Sequence, residues 1–255
     1  MDGMLIQAAI NGARSPVAHA ALPVTPAEQA AAAVESVAAG AGAIHLHVRG
    51  ADGRESLAAG DVARALQAIR AAAPGVPVGV STGAWIIPDP DLRFATVAAW
   101  TVLPDYASVN FHEEGATALA GLLLSRGVAI EAGLASPRAA ELFAASGLAE
   151  RCLRVLLEPQ ERDSRAALET VAGVETVLDH AGVTVKRLLH GTDGTTWPLI
   201  DEAAARGYDT RVGFEDTLTL PDGVRAPGNA ALVAEACRRV VERRGSSLGE
   251  RSADR

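Results

Sequence analysis

The sequence predicts an α/β protein that folds as a single (β/α)8 (TIM) barrel. Short runs rich in β-branched and other apolar residues alternate with longer runs rich in alanine and leucine, and this alternation repeats eight times. The length of 255 residues suits one such barrel. No break in composition typical of a linker occurs between residues 1 and 240, so one catalytic barrel domain is expected over residues 1–245, followed by a disordered tail over residues 246–255.

Eight strands are predicted, each followed by a helical run. In chain order they are Leu5–Asn11, Ala43–Arg49, Val76–Thr82, Tyr106–Phe111, Val128–Leu134, Leu153–Glu158, Val185–Gly191 and Thr210–Asp216. The first helix has a clear start, because Thr25 suits the N-cap, Pro26 the first helical position and Glu28 the capping box. A doubly wound open sheet is the alternative fold, but the first strand lacks the G-x-G-x-x-G turn that would follow it there.

Charge and cysteine content exclude several classes of function. The formal net charge of -8 provides no basic surface for nucleic acid. The two cysteines, Cys152 and Cys237, lie far apart and form no C-x-x-C pair, so neither a disulfide framework nor a cysteine zinc site is expected. The first residues lack a basic segment followed by a long apolar run, and no uninterrupted apolar run of about 18 residues occurs, so neither a secretory leader nor a membrane span is expected. A cytoplasmic protein without membrane association is therefore expected.

The second predicted strand, A-I-H-L-H-V-R, carries a candidate metal site. Because successive strand residues point to opposite faces, His45, His47 and Arg49 share one face. Two imidazole nitrogens and a carboxylate from another strand can hold one metal ion and leave a coordination position open for substrate. A pair of hydrogen-bonded core histidines is the alternative. The metal site is favoured because a buried Arg49 on the same face needs partners.

The eighth predicted strand, which includes R-V-G-F-E-D, supplies the candidate carboxylates. Alternation puts Arg211, Gly213 and Glu215 on one face. Closure of an eight-strand barrel brings this strand beside the first, with the second strand next, so Glu215 is expected to be the third metal ligand. Asp216 could then act as a base that Arg211 orients. A structural ion pair between Arg211 and Glu215 is the alternative.

Polar residues at other strand ends complete the candidate site. Ser81 lies in a serine-threonine-glycine turn that could bind an anion or simply cap the strand. Glu131 projects among small residues, and the sequence fits a catalytic role and a structural role for it equally well. Asn11, Asn110 and His112 are candidate substrate contacts, although His112 could be an ordinary loop residue.

Two further residues stay open at this level. His190 ends the seventh strand, and alternation does not decide whether it faces the barrel axis. Trp85 follows the third strand and suits either packing or the wall of a substrate channel.

Taken together, the strand ends resemble those of the β-keto acid cleavage enzyme family, in order along nearly the whole chain. The segments that carry the resemblance are AINGAR at 9–14, PVTPAEQA at 23–30, HLHVR at 45–49, GVSTG at 79–83, SVNFHEEGA at 108–116, LLHGTDGTTWP at 188–198 and RVGFEDTLTLPDG at 211–223. HLHVR alone is moderate evidence, but its combination with RVGFED at the matching end of the barrel is specific.

The resemblance implies a zinc-dependent barrel that converts a β-keto acid and acetyl-CoA into acetoacetate and a new acyl-CoA. It also implies a homo-oligomer, a homotetramer or a homodimer. Carried over to this sequence, the family's zinc ligands match His45, His47 and Glu215, its catalytic base matches Asp216, the arginine assisting that base matches Arg211, and further active-site residues match Ser81 and Glu131.

One residue departs from the family's pattern. The founding enzyme carries a glutamate after its first strand, suited to an ammonium group on its substrate, whereas Arg14 stands at the corresponding position here. An ammonium-bearing substrate is therefore disfavoured. An anionic or neutral polar tail that contacts Arg14, such as one ending in a second carboxylate, is expected instead.

Two other functions fit a metal-binding strand of this kind. Zinc hydrolases of the amidohydrolase type also place H-x-H on a barrel strand, but on the first strand, with histidines and an aspartate as later ligands. A non-catalytic barrel stabilised by its metal is the other alternative. Bound metal and the dependence of turnover on acetyl-CoA distinguish these possibilities.

Overall fold

The computed structural model describes residues 4–253, with side chains described for residues 4–243. Within these residues, eight parallel strands close into one barrel in which neighbouring strands follow chain order. They are β1 Ile6–Ala9, β2 Ala43–Leu46, β3 Val78–Ser81, β4 Tyr106–Asn110, β5 Ala129–Leu134, β6 Arg154–Leu157, β7 Arg187–Leu189 and β8 Asp209–Val212. Since β8 pairs with β1, the predicted (β/α)8 TIM barrel is confirmed.

Helices follow the strands around the outside of the barrel. They are α1 Pro26–Ala38, α2 Ala59–Ala72, α3 Pro90–Ala98, α4 Ala116–Ser125, α5 Pro137–Ala145, α6 Ser164–His180, α7 Thr196–Arg206 and α8 Asn229–Ala253. The capping box predicted for α1 is present, because the backbone N–H of Glu28 donates to Thr25 Oγ1 at 3.3 Å and that of Thr25 donates to Glu28 Oε2 at 2.8 Å. No helix among residues 4–253 is long and apolar enough to span a membrane.

The backbone of α8 continues through most of the segment predicted to be a disordered tail, since the helix reaches Ala253. Residues 254–255 of that predicted tail lie outside the described residues. The boundary of the catalytic domain at residue 245 stays a prediction.

The last strand is shorter than predicted, and this changes how the candidate carboxylates are positioned. β8 ends at Val212, and Glu215 and Asp216 lie in the turn that follows. The turn is closed by a hydrogen bond from the backbone N–H of Asp216 to the carbonyl oxygen of Gly213, at 2.9 Å. The strand predicted to reach Asp216 therefore ends four residues early, and strand alternation does not account for the position of Glu215, although Arg211 and Glu215 do line the same cavity.

The two faces of the strands differ in chemistry. Ile44 and Leu46 of β2 and Val78 and Val80 of β3 are fully buried in the hydrophobic cluster that lies between the strands and the helices. Burial of such side chains contributes roughly 1.5–3 kcal/mol each to stability. This apolar layer leaves the opposite, inward face free to carry polar side chains.

A buried polar layer fills the barrel interior beneath the strand ends. Gln7 Nε2 donates to Glu131 Oε1 at 2.7 Å and to the hydroxyl of Tyr106 at 2.9 Å. Arg154 Nε donates to the same Glu131 oxygen at 2.6 Å. Buried charge is tolerated only when it is paired and hydrogen-bonded. The Glu131–Arg154 pair meets that condition and forms part of the floor under the candidate site.

Candidate active site

A cavity of about 800 Å³ opens at the carboxyl ends of the strands, where TIM barrels hold their active sites. Most of the predicted site residues line it: Arg14, His45, His47, Ser81, Asn110, His112, Arg211 and Glu215. Trp85, which the sequence left between packing and a channel wall, also lines it. The structure therefore brings together side chains from strands that are distant in sequence.

Three of the predicted site residues do not reach this cavity. Asn11, Glu131 and Asp216 are fully buried and lie outside its lining. Asn11 instead brackets the backbone of His47, because its Oδ1 accepts the His47 N–H at 2.9 Å and its Nδ2 donates to the His47 carbonyl at 2.9 Å. Its contacts are therefore those of a residue that positions His47.

His45, His47 and Glu215, here called the metal triad, converge at one edge of the cavity. His45 Nε2 lies 3.5 Å and His47 Nε2 lies 3.4 Å from Glu215 Oε2. One potential ligand atom from each of the three residues lies within 4.8 Å of the other two. These atoms are close enough to surround a single ion.

The approach of Glu215 depends on a glycine in the loop after β1. β1 lies between β2, which carries His45, and β8, which precedes Glu215, so the Glu215 side chain must pass the end of β1. Gly12 occupies that position with a φ of +61°, and a Cβ atom there would lie 2.5 Å from Glu215 Cγ. Any larger residue would be strained in this backbone conformation and would displace Glu215.

The metal triad fits a zinc ion by its donor atoms and by an unsatisfied oxygen. Glu215 Oε2 is buried yet has no hydrogen-bond partner among the described residues, which is costly unless a cation binds there. Two imidazoles and one carboxylate are a common ligand set of catalytic zinc sites, which keep a further position open. His45, His47 and Glu215 are therefore residues that could hold such an ion.

A second layer of contacts orients His47. Its Nδ1 lies 2.5 Å from Glu55 Oε1, which leaves Nε2 free to face Glu215. The indole N–H of Trp85 donates to both Glu55 oxygens at 3.1 Å, and its ring stacks on the His47 ring with centroids 5.9 Å apart. Glu55 lies in a loop and carries no sequence signal that distinguishes it from other surface carboxylates, so sequence reasoning missed it.

The two histidines have opposite protonation preferences when no metal is bound. Burial lowers the pKa of His45 to about 3, despite the opposing attraction of Glu215. Burial also acts to lower the pKa of His47, but Glu215 and Glu55 outweigh it and raise that pKa to about 9. His45 is thus already a neutral ligand, whereas His47 must lose a proton when a metal binds.

Arg211 neutralises the two acidic residues of the turn after β8. Its Nη2 donates to Glu215 Oε1 at 2.7 Å and to Asp216 Oδ1 at 2.8 Å, and its Nε donates to Asp216 Oδ1 at 3.2 Å. Burial opposes the charged guanidinium, but Asp216 and Glu215 raise the pKa of Arg211 above its ordinary value. Asp216 Oδ2 is buried and has no hydrogen-bond partner among the described residues, so one of its oxygens is held and the other is free.

His190 and Glu158 belong to the site, although strand alternation did not reveal it. Both line the cavity. His190 lies between two carboxylates, with Nδ1 3.5 Å from Asp216 Oδ1 and Nε2 3.7 Å from Glu158 Oε2. Burial and Arg211 act to lower the pKa of His190, but Asp216 and Glu158 outweigh them and raise it. The sequence did show polar residues at the ends of β6 and β7, but it did not show whether their side chains point towards the barrel axis.

The two arginines after β1 and β2 bind the surrounding loops. Arg14 Nε donates to the carbonyl of Phe214 at 2.5 Å, and its Nη2 donates to Asp193 Oδ1 at 2.8 Å. Arg49 Nη2 donates to the carbonyls of Gly12 at 2.6 Å and Arg14 at 2.8 Å. Arg49 thereby holds the loop that contains Gly12 and Arg14, which explains its burial next to the histidines.

Solved structures with the same fold include those of ObcA. The apo structure of ObcA matches with a TM-score of 0.68 at 19% identity, over 87% of this chain and 62% of that one. Its ternary complex with a C4-CoA adduct and oxalate matches with a TM-score of 0.70 at 18% identity, over 87% and 64%. (S)-3-O-geranylgeranylglyceryl phosphate synthase from Thermoplasma acidophilum matches with a TM-score of 0.56 at 14% identity, over 94% of each chain.

At these identities the structural likeness shows the fold alone, and this chain covers less than two thirds of the ObcA chains. The family comparison is more specific. The family model described as beta-keto acid cleavage enzyme matches residues 4–147 and 163–251. These ranges include the metal triad, Arg211 and Asp216. By this match over most of its length, the chain belongs to the beta-keto acid cleavage enzyme family.

Proposed function

We propose that this protein is a zinc-dependent enzyme that converts a β-keto acid and acetyl-CoA into acetoacetate and a new acyl-CoA. The observation that carries the proposal is the metal triad at the cavity edge, joined through Arg211 to the buried carboxylate of Asp216. Membership of the family supports C–C bond cleavage with a CoA co-substrate. The ObcA complexes, one with oxaloacetate and one with a C4-CoA adduct, support a barrel of this type accommodating both partners.

The bound zinc ion would supply a Lewis acid that withdraws electron density from the carbonyl oxygen of the keto acid. The three ligands come from β2, from the residue after it and from the turn after β8. Because all three residues line the cavity, an ion held by them would be accessible to a substrate in it. The hydrogen bond between Arg211 and Glu215 Oε1 keeps the second oxygen of this ligand occupied.

Asp216 is the proposed base. Arg211 binds its Oδ1 and so favours the ionised carboxylate. Because Asp216 lies behind the cavity wall, a proton from the carbon between the two carbonyl groups would reach it through His190, which lines the cavity with Nδ1 3.5 Å from Asp216 Oδ1. The resulting carbanion would attack the thioester carbon of acetyl-CoA and expel the CoA thiolate. That thiolate would then attack the original keto carbonyl, and retro-Claisen cleavage would leave the acyl group on CoA and release the carbanion of acetoacetate, which takes up a proton.

The polar wall of the cavity would orient the keto acid. Ser81, Asn110 and His112 all line it, and their hydroxyl, amide and imidazole groups can bind the carboxylate and carbonyl oxygens of the substrate. Glu131 belongs to the buried floor, so we propose that it supports the site through Arg154 and Gln7. A homotetramer or homodimer stays a prediction from the family resemblance, and a cytoplasmic location stays a prediction from the sequence.

The decisive experiment measures metal and products together. Metal bound to the purified protein is quantified, and the protein is then incubated with a panel of β-keto acids, with and without acetyl-CoA, while acetoacetate and acyl-CoA are followed. We expect the purified protein to contain zinc and to form acetoacetate only when acetyl-CoA is present. Hydrolysis independent of CoA would indicate a zinc hydrolase instead. Bound metal without turnover across a broad panel would indicate a non-catalytic barrel and reject the proposal.

A further inference from the structure

Trp85 differs from the other two tryptophans of the chain in its exposure. Trp100 and Trp197 are 1% and 7% exposed and belong to the hydrophobic core, whereas Trp85 is 51% exposed and lies in the turn between β3 and α3. Trp85 also lines the cavity that contains the metal triad. A half-exposed ring gains only part of the free energy of burial, so packing alone does not explain its placement.

Two hydrogen bonds and one glycine hold the indole ring in place. The indole N–H donates to both carboxylate oxygens of Glu55, at 3.1 Å each. Gly83 leaves room for the ring, because a Cβ atom there would lie 2.2 Å from the Cη2 and Cζ3 atoms of Trp85. The turn itself is tied to the loop after β4, since the backbone N–H of Ala84 donates to Glu113 Oε2 at 2.9 Å. The ring is therefore fixed in both position and angle.

The carboxylate of Glu55 lies between the indole and His47. Its Oε1 accepts from Trp85 and lies 2.5 Å from His47 Nδ1. The backbone of Glu55 is held as well, because it forms an antiparallel bridge with Arg49. An ionised carboxylate can only accept hydrogen bonds, so Nδ1 carries the hydrogen of this contact. Nε2, which faces Glu215 at 3.4 Å, is then the nitrogen available to a metal.

The indole also shields this contact from solvent. Its ring stacks on the His47 ring, with centroids 5.9 Å apart and an angle of 23° between the planes. The side chains of His47 and Glu55 are only 4% and 13% exposed, although the indole beside them is half exposed. A hydrogen bond shielded from water is electrostatically stronger than one in water. The indole therefore strengthens the same contact that it positions.

We propose that Trp85 is a positioning residue of the metal site. Through Glu55 it fixes the tautomer and the direction of the His47 ring, and it thereby raises the affinity of the metal triad for zinc. The inference rests on the proposed function, because it concerns the ion that the triad would hold. Since Trp85 acts through Glu55 and His47, its contribution is measurable as metal binding in the absence of any substrate.

The test measures the zinc dissociation constant of each variant by competition with a chelator. Trp85→Phe keeps an aromatic ring but removes the N–H that binds Glu55. Gly83→Ala leaves both partners of that hydrogen bond unchanged and displaces the ring instead. Trp197→Phe is a matched control, because it removes an indole N–H that donates to the carbonyl of Thr219, and neither residue lines the cavity. Circular dichroism verifies that the variants fold.

Trp85→Phe and Gly83→Ala should each weaken zinc binding about tenfold, since both release the carboxylate that orients His47. Trp197→Phe should leave zinc binding unchanged. If Trp85 served only as packing, phenylalanine would replace it with little effect. A change of less than about twofold in Trp85→Phe would therefore overturn the proposal.

A double-mutant cycle tests whether the indole acts through Glu55. Glu55→Ala removes the carboxylate, so the link from the indole to His47 is already broken in that background. There, Trp85→Phe should weaken zinc binding about twofold at most, which makes the two substitutions strongly non-additive. The same tenfold loss in both backgrounds would show that Trp85 affects the metal site by another route, and the proposal would be rejected.

A measurement on the metal-free protein separates failure of this inference from failure of the proposed function. The hydrogen on His47 Nδ1 should give a low-field proton NMR signal that is absent in Glu55→Ala, because its hydrogen bond is shielded from exchange with water. Trp85→Phe should broaden or abolish this signal. If the wild type binds no zinc but the signal responds in this way, Trp85 positions His47 and the proposed zinc chemistry is wrong. An identical signal in the wild type and Trp85→Phe would refute the inference, whether or not zinc binds.

Discussion

The two sides of the cavity differ in how completely their charged groups are paired. At the β8–β1–β2 side, Arg211 holds both Glu215 and Asp216, and Glu55 holds His47. At the β4–β6 side the contacts are fewer: Asn110 Nδ2 donates to Glu113 Oε1 at 2.9 Å, and Glu158 Oε2 lies 3.7 Å from His190 Nε2. The comparison indicates that the charged groups of the first side are held in place by ion pairs, whereas the second side is a polar wall of the cavity with fewer such pairs. Variants of each side should therefore change different kinetic quantities.

The largest expected effect comes from removing a metal ligand. His45→Ala deletes one of three ligands and should abolish both zinc binding and turnover, with kcat/KM falling about a thousandfold or more. Metal analysis and steady-state kinetics check this. His112→Ala is the matched control, since His112 lines the same cavity without belonging to the metal triad, and it should keep its zinc. Retention of zinc and turnover by His45→Ala would contradict the ligand assignment.

Replacing the proposed base should separate catalysis from metal binding. Asp216→Asn keeps the shape of the side chain but removes its ability to accept a proton, so kcat should fall about 10²- to 10⁴-fold. Zinc content should stay at the wild-type level, because the three ligands are untouched. A variant with nearly normal kcat would show that Asp216 only holds Arg211 in place.

A smaller effect is expected from the carboxylate behind His47. Glu55→Gln weakens the contact that orients the imidazole and raises its basicity, and zinc affinity should fall about 10- to 100-fold. The zinc affinity of each variant is measured by competition with a chelator of known affinity. Asp52→Asn, in the same loop but exposed to solvent, should leave affinity unchanged. Equal affinities for the two variants would mean that Glu55 does not contribute to the metal site.

Counted per pH unit, the smallest expected effect is the pH dependence of metal uptake. The pKa of His47 in the metal-free protein is raised to about 9, so this ring is protonated at neutral pH, whereas that of His45 is lowered to about 3 and that ring is neutral. Zinc must displace the His47 proton, and its affinity should rise about tenfold per pH unit up to pH 9 and level off above it. Titration calorimetry in buffers of different ionisation enthalpy should detect release of about one proton at pH 7. Uptake without proton release would contradict this.

The sequence predicted the positions of candidate side chains where strand periodicity and barrel closure decide them. The alternation in A-I-H-L-H-V-R correctly put His45 and His47 on the cavity side, and closure correctly brought the end of the chain's last strand near them. The same reasoning treated Glu215 as a strand residue, although it lies in a turn. It also treated Asn11 as a substrate contact, although its amide is fully used by the backbone. Proximity was predictable, but the exact direction of these side chains was not.

The sequence by itself determined the number and order of the strands, the helix start at Pro26 and the strand that carries the two histidines. These features depend on local periodicity and capping, which neighbouring residues decide. Only the tertiary structure decided that Glu215 passes Gly12, that Glu55 orients His47 and that Asn110 and Glu158 meet over Gly133. Such contacts join loops and strand ends that are distant along the chain, and their geometry follows from how the closed barrel packs those ends together.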